Sequence, residues 1–294
     1  MDFSGRAHYH RLKEKWTKRH IVLQQKLWEK HKDSLEWVSK NLVPTQLVVS
    51  SLSSLLFLTA PTFPSLPVPH LSLPAQENVI SKHGFLVADL SHILPKEIRP
   101  LTAEEEVKIS QVFLRYFNFK ATAELEGKRL NRSYGLIGQE QHLARYPGDS
   151  IATHFDSEED ARKFGGHGMA PGLGAWGYFA LLKDQMSEKD NLREKYYLAV
   201  QTFLVPDYVQ RLVEYRDFFR FRKMLVVNPQ NGQAVVAVIG DAGPAEWTGK
   251  HLGGSPEVMK HLERVDGSMR GPVLYFFIDD PNDTIPLGPV DLNR

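Results

Sequence analysis

The chain has 294 residues, 42% of them hydrophobic and 24% charged, which is the composition of a folded protein with a sizeable core. Its formal net charge of +1 gives the molecule as a whole no electrostatic attraction to nucleic acid, and no nucleic-acid partner is expected. The sequence contains no cysteine, which excludes disulfides, thiol nucleophiles and thiolate metal sites.

The first 41 residues are basic, with ten Lys and Arg against five Asp and Glu. Leu12, Trp16, Leu23 and Leu27 fall near one face of a predicted helix, and basic side chains surround them. Such a helix is typical of a membrane surface, and it equally suits a cytoplasmic tail that precedes a membrane anchor.

The segment 41–76 carries no Asp, Glu, Lys or Arg. Its apolar part, "LVVSSLSSLLFLTAP" (47–61), is followed by a proline-rich stretch, which is the order found in export signals and signal anchors. Because a membrane-spanning helix needs about 20 apolar residues, a buried helix followed by a linker is the alternative. We expect region 1–76 to export the protein or anchor it to a membrane, with the rest facing the cell envelope.

Region 77–170 is predicted to be helical first and rich in loops afterwards. Residues 77–94 are predicted to form a connector with one short apolar element, "GFLVADL". Thr102 and Glu105 have the spacing of a capping box, which predicts that a helix starts there. The stretches "GLIGQEQHLARYPGDSIATHFD" and "FGGHGMAPGLGAWGYFALL" are rich in glycine, histidine and aromatic residues, as in a loop-built site or a series of tight turns.

Region 171–294 changes from helical to β periodicity. Helices are predicted over 187–202 and 206–219, the second with Pro206 at its first position. Two apolar runs then meet at Asn231-Gly232, which predicts a β-hairpin. A short helix from Pro256 and a last strand over 272–278 complete a small β-rich domain.

The order of these C-terminal elements resembles the core of double-psi β-barrel domains of the rare lipoprotein A type, a group that includes expansins and membrane-bound lytic transglycosylases. The resemblance covers residues 224–278. It implies an α+β fold, with a C-terminal double-psi β-barrel that carries helical insertions, and "GLGAWGYF" (172–179) as its first strand. The matching positions are Asn228, Asn231, Gly232, Val235, Val236, Val238, Asp241, Gly243 and Pro244.

The resemblance also implies a function, namely binding and cleavage of a cell-envelope glycan, above all peptidoglycan. Asp241 stands at the family's catalytic aspartate, and an acid kept protonated by burial can donate its proton to a glycosidic oxygen. A lytic transglycosylase needs one such acid, whereas a hydrolase needs a second carboxylate, for which Glu140, Asp149 and Asp156 are candidates. In the alternative, Asp241 only shapes the turn that follows the strand.

Three aromatic residues are candidates for sugar binding, because flat rings stack on the apolar faces of sugars. Trp247 follows Asp241 in the predicted turn, and Trp176 and Tyr178 lie in the stretch assigned to the first strand. Packing in the core is the alternative for each of them.

Two other functions stay open. Three features depart from the family pattern: the arginine after the aspartate is Ala242, the D-L-S before the helix is "HLGGS" (251–255), and the catalytic histidine has no counterpart in "EYRDFFRFRK". The missing histidine favours a non-catalytic, expansin-like wall-binding module. The third hypothesis is a metal-dependent hydrolase built on the histidine-rich loops 138–170. His154, Asp156 and His167 do not have the spacing of a strong ligand motif, so we predict no metal ion and no other cofactor.

Overall fold

The computed structural model describes residues 82–264 and 270–292. The basic segment and the uncharged segment 41–76 lie outside these ranges, so the amphipathic helix and the export signal or anchor stay predictions. Among the described residues, no helix combines the length and the apolar character that crossing a membrane requires.

The first helices bear out one prediction and correct another. Helix α2 begins beside the predicted capping box: the Thr102 hydroxyl accepts a hydrogen bond from the Glu105 N–H, and the Glu105 carboxylate accepts one from the Thr102 N–H. The predicted connector 77–94 instead contains a helix, α1, whose Leu86 and Leu90 are completely buried. The apolar element "GFLVADL" therefore forms a helical face. The helices are α1 Lys82–Ser91, α2 Ala103–Phe117, α3 Glu158–Phe164, α4 Glu188–Lys195, α5 Leu212–Phe219 and α6 Pro256–His261.

Six strands close into a mixed β-barrel, in the order β4 (Tyr134–Gln139), β8 (Leu252–Gly254), β5 (Tyr197–Val200), β7 (Ala234–Ala242), β6 (Lys223–Val227), β9 (Arg270–Ile278) and back to β4. The pairs β4–β8 and β5–β7 are parallel, and the other four pairs are antiparallel. The predicted α+β class and a barrel in the C-terminal part are therefore confirmed. The strands are β1 Ala121–Thr122, β2 Glu124–Leu125, β3 Lys128–Arg129, β4 Tyr134–Gln139, β5 Tyr197–Val200, β6 Lys223–Val227, β7 Ala234–Ala242, β8 Leu252–Gly254, β9 Arg270–Ile278 and β10 Gly288–Pro289.

The predicted hairpin is confirmed as β6 and β7, and residues 224–227 and 234–239 of these strands are all apolar because both of their faces are buried. On β7, Val235, Ala237 and Ile239 point into one core cluster, while Ala234 and Val236 belong to a second cluster with residues of α1 and α2. A strand buried on both faces has no polar side, which accounts for the uninterrupted run "AVVAVI". The predicted helix from Pro256 and the last strand are confirmed as α6 and β9.

Three predicted elements differ from the structure. The helix predicted over 187–202 ends at Lys195, because the next residues form β5 and pair with β7 and β8. The helix predicted over 206–219 begins at Leu212, and Asp207, with a φ of 60°, interrupts any helix before it. The stretch 172–179 forms no strand, and the first barrel strand is β4, within the region expected to be helical and loop-rich.

Candidate functional site

Asp241 lies near the end of β7, where the barrel strand gives way to a turn. Its Oδ1 accepts hydrogen bonds from the backbone N–H groups of Ala175 at 2.6 Å and Ala242 at 2.7 Å. Burial raises the pKa of this carboxyl above its usual range, and the two backbone amides oppose that shift. Within the described residues Oδ2 accepts no hydrogen bond. Oδ1 thus fixes the turn through two hydrogen bonds, while Oδ2 is free to donate or accept a proton.

The aromatic candidates differ in their surroundings. Trp176 follows Ala175, and its indole Nε1 donates a hydrogen bond to the Ile239 carbonyl at 3.0 Å, while its ring packs against the barrel core. Tyr178 is partly buried. Trp247 lies in the short turn after Asp241 and is 89% exposed. Trp247 therefore presents an open face, and Trp176 is anchored beside the Asp241 turn.

Glu140, Asp149 and Asp156, the other candidate carboxylates, have surroundings that differ from those of Asp241. Glu140 Oε1 lies 2.5 Å from the Lys250 Nζ, so its charge is compensated. Burial, followed by the negative charges of nearby carboxylates that include Glu140 and Asp241, raises the pKa of Tyr197 well above its usual value. Glu140 and Asp241 therefore have Tyr197 as a common neighbour. Burial would lower the pKa of Arg145, whereas its hydrogen bond to Asp149 and the negative charges of Asp149, Glu194 and Asp156 raise it, so Asp156 belongs with a second group of polar residues.

That second group contains two histidines and a glutamate, His142, His154 and Glu194, which we call the histidine cluster. All three are buried, with exposed fractions of 0%, 4% and 3%. His154 Nε2 lies 3.1 Å from one carboxylate oxygen of Glu194, and His142 Nδ1 lies 3.6 Å from the other. These groups could hold a metal ion, because one ligand atom from each residue lies within 4.8 Å of the others.

A second layer of hydrogen bonds fixes His154. Its Nδ1 lies 2.9 Å from Asp149 Oδ2, and Arg145 donates to the same oxygen from its Nε at 3.0 Å. Burial alone would raise the pKa of Asp149, but the bonds from His154 and Arg145 hold it well below its usual range. Burial alone would lower the pKa of His154, whereas its bonds to Asp149 and Glu194 raise it to about 9. The two carboxylates on either side of His154 therefore favour the charged form of its imidazole.

A cavity of about 470 Å³ lies beside α6, and we call it the α6 cavity. Its lining includes Glu257 and His261, which are one helical turn apart, together with Tyr196. Burial, and then the negative charge of Glu194, raises the pKa of Glu257 to about 7. Among the described residues, Glu257 Oε2 and His261 Nε2 have no hydrogen-bond partner. The cavity therefore holds a carboxyl that is partly protonated near neutral pH.

Comparison of the chain with protein-family models, with curated proteins and with solved structures finds no significant match. The resemblance to double-psi barrel domains therefore depends on the residues quoted for it.

The sequence suggested His154, Asp156 and His167 as residues that could bind a metal, whereas in the structure His154 lies beside His142 and Glu194. His167 is hydrogen-bonded to the Gln139 side chain, and the cluster draws on His142 and Glu194 instead. The spacing of His142 and His154 on one loop was a weak signal. Glu194 comes from α4, and its association with this loop depends on the fold alone.

Proposed function

We propose that the protein binds and cleaves a cell-envelope glycan, with peptidoglycan as the favoured substrate and Asp241 as the acid/base. In this proposal the barrel is of the double-psi type, and the residues beyond 77 lie outside the cytoplasm. The observation that carries it is the state of Asp241, a half-buried carboxyl with a raised pKa and one free oxygen at the end of a barrel strand.

The chemistry follows from that environment. A protonated carboxyl can donate its proton to the glycosidic oxygen as the bond from the anomeric carbon to the leaving sugar breaks. The resulting carboxylate can take a proton from a hydroxyl of the same sugar as that hydroxyl forms a new C–O bond to the anomeric carbon. Such a lytic reaction needs one acid/base, which suits a site where Glu140 is already paired with Lys250. Trp247 and Trp176 would stack on the sugar rings.

The alternative, a non-catalytic wall-binding module, is favoured by the exposure of Trp247, which needs no catalytic partner to bind sugar. A metal-dependent hydrolase is not favoured. A catalytic metal ion keeps a coordination position open to substrate, whereas the residues of the histidine cluster are at most 4% exposed.

The test measures soluble fragments released from purified peptidoglycan by the wild-type protein and by Asp241→Asn. Asparagine can still accept both backbone hydrogen bonds through its single carbonyl oxygen, so the variant should fold and bind glycan. It should lose cleavage by about 10²- to 10⁴-fold, as when a general acid is removed.

Two further variants complete the design. Asp184→Asn, at an exposed aspartate, should keep full activity, and Trp247→Ala should weaken binding to the insoluble glycan. If the wild type binds peptidoglycan and releases nothing, the binding module replaces the enzyme. If Asp241→Asn cleaves as fast as the wild type, Asp241 is only a turn residue.

A further inference from the structure

We propose that the histidine cluster binds a divalent transition-metal ion, with Zn²⁺ as the ion that fits best. The ligands would be His142 and His154, on the loop that follows β4, and Glu194, in the last turn of α4. The ion would fasten this loop to the helix, and it has no part in the reaction proposed for Asp241.

The distances between the ligand atoms suit a small ion. Zn²⁺ bound to nitrogen or oxygen at about 2.0–2.1 Å in tetrahedral geometry separates its ligand atoms by about 3.3 Å. The Glu194 oxygens lie 3.1 Å from His154 Nε2 and 3.6 Å from His142 Nδ1. Both distances are close to that separation, and one ligand atom from each of the three residues lies within 4.8 Å of the others.

Both imidazoles are held by the nitrogen that faces away from the centre. His142 Nε2 lies 3.3 Å from the Phe164 carbonyl, and His154 Nδ1 lies 2.9 Å from the Asp149 carboxylate. In metal sites a ligating histidine almost always donates its other N–H to a carboxylate or a backbone carbonyl, which leaves the inner nitrogen free to bind. Arg145 holds Asp149 in turn.

An unpartnered nitrogen points to a missing ligand. His142 is fully buried, and its Nδ1, which lies 3.6 Å from Glu194 Oε1, makes no hydrogen bond of normal length within the described residues. A buried polar atom without a partner is costly. When the cluster is held by hydrogen bonds alone, His154 bridges Asp149 and Glu194, and His142 Nδ1 makes no hydrogen bond. A bound metal ion would give His142 Nδ1 a partner.

The chemistry of the ligands selects the ion. Two imidazoles and one carboxylate suit Zn²⁺ and related transition metals, whereas Mg²⁺ and Ca²⁺ prefer shells made of oxygen. Because all three residues are buried, a further coordination position on the ion would be closed to substrate, and we assign the ion a structural role.

The test uses the full chain without an affinity tag, stripped with a chelator and titrated with ZnCl₂ in a calorimeter. Region 1–76 contains five further histidines, so the readout is a difference between variants. His142→Gln should bind one ion fewer per chain, and Asp149→Asn should bind that ion about 10- to 100-fold more weakly. His92→Gln, at an exposed histidine, should match the wild type. Zn²⁺ should raise the melting temperature of the wild type, and MgCl₂ should not.

Unchanged stoichiometry in a folded His142→Gln variant would overturn the proposal. If that variant fails to fold, X-ray absorption spectra of the zinc-loaded wild-type and His92→Gln proteins show which ligands bind the ion. A saturable ion with two imidazole ligands supports the site, and a shell without imidazole overturns it. These outcomes are independent of glycan cleavage, because no variant touches Asp241.

Discussion

Glu257→Gln removes an ionisable group from the wall of the α6 cavity while keeping the size and shape of the side chain. Glu257 is 7% exposed, and burial together with the charge of Glu194 raises its pKa from its ordinary value of 4.5 to about 7. The folded state therefore holds this proton more tightly than the unfolded chain does. The stability that results is complete below about pH 4.5 and is lost as the pH rises through about 7.

The magnitude follows from the size of the shift. A difference of about 2.5 pKa units corresponds to about 3 kcal/mol in the free energy of unfolding. Glutamine cannot ionise, so the variant does not lose this amount. Between pH 4 and pH 8 its stability relative to the wild type should rise by about 3 kcal/mol, or roughly 6–12 °C in melting temperature for a domain of this size.

The assay is denaturant unfolding of both proteins at several pH values, in the presence of a chelator so that no bound cation alters the charge near Glu194. Other groups titrate alike in both proteins and cancel in the difference. Glu188→Gln, at an exposed glutamate in the first turn of α4, is the control and should show no such pH dependence. A Glu257→Gln difference that stays flat from pH 4 to pH 8 would refute the reasoning.

Two further predictions concern packing and capping. Gly240→Ala should destabilise the fold by about 1–3 kcal/mol in denaturant unfolding, because its Cβ would lie 2.7 Å from the Cβ of buried Tyr197; Gly172→Ala, with open space around it, should not. Thr102→Ala should cost about 1 kcal/mol by removing the hydroxyl that caps α2, and Thr102→Ser should restore most of it. Equal stability within either pair would contradict the structural explanation.

The elements that sequence reasoning predicted correctly are specified by neighbouring residues. The β6–β7 hairpin has Asn231-Gly232 between two apolar runs, and α2 has its capping box. In contrast, β5 continues the pattern of the helix before it and becomes a strand through pairing with β7 and β8. Strand β8, only Leu252–Gly254, has too few residues to show any periodicity.

The residues of the candidate sites likewise differ in how far the neighbouring sequence identifies them. Asp241 could be selected because it ends an apolar run and a turn follows, both of which are local signals. Glu194 could not, because only the packing of α4 brings it to the histidines. Glu257 directly follows the proline that starts a helix, where a glutamate is ordinary, and its burial is a property of the assembled barrel.

The closure of the barrel by β9 has a consequence for synthesis on the ribosome. Strand β9 pairs with β4 on one side and with β6 on the other, and Tyr134 faces Leu274 across the first of these pairs. Until residues up to Ile278 have emerged, β4 and β6 are left as open strand edges, which other chains can pair with. The nascent chain therefore passes through a prolonged, aggregation-prone stage, and chaperones that cover strand edges should increase the yield of folded protein.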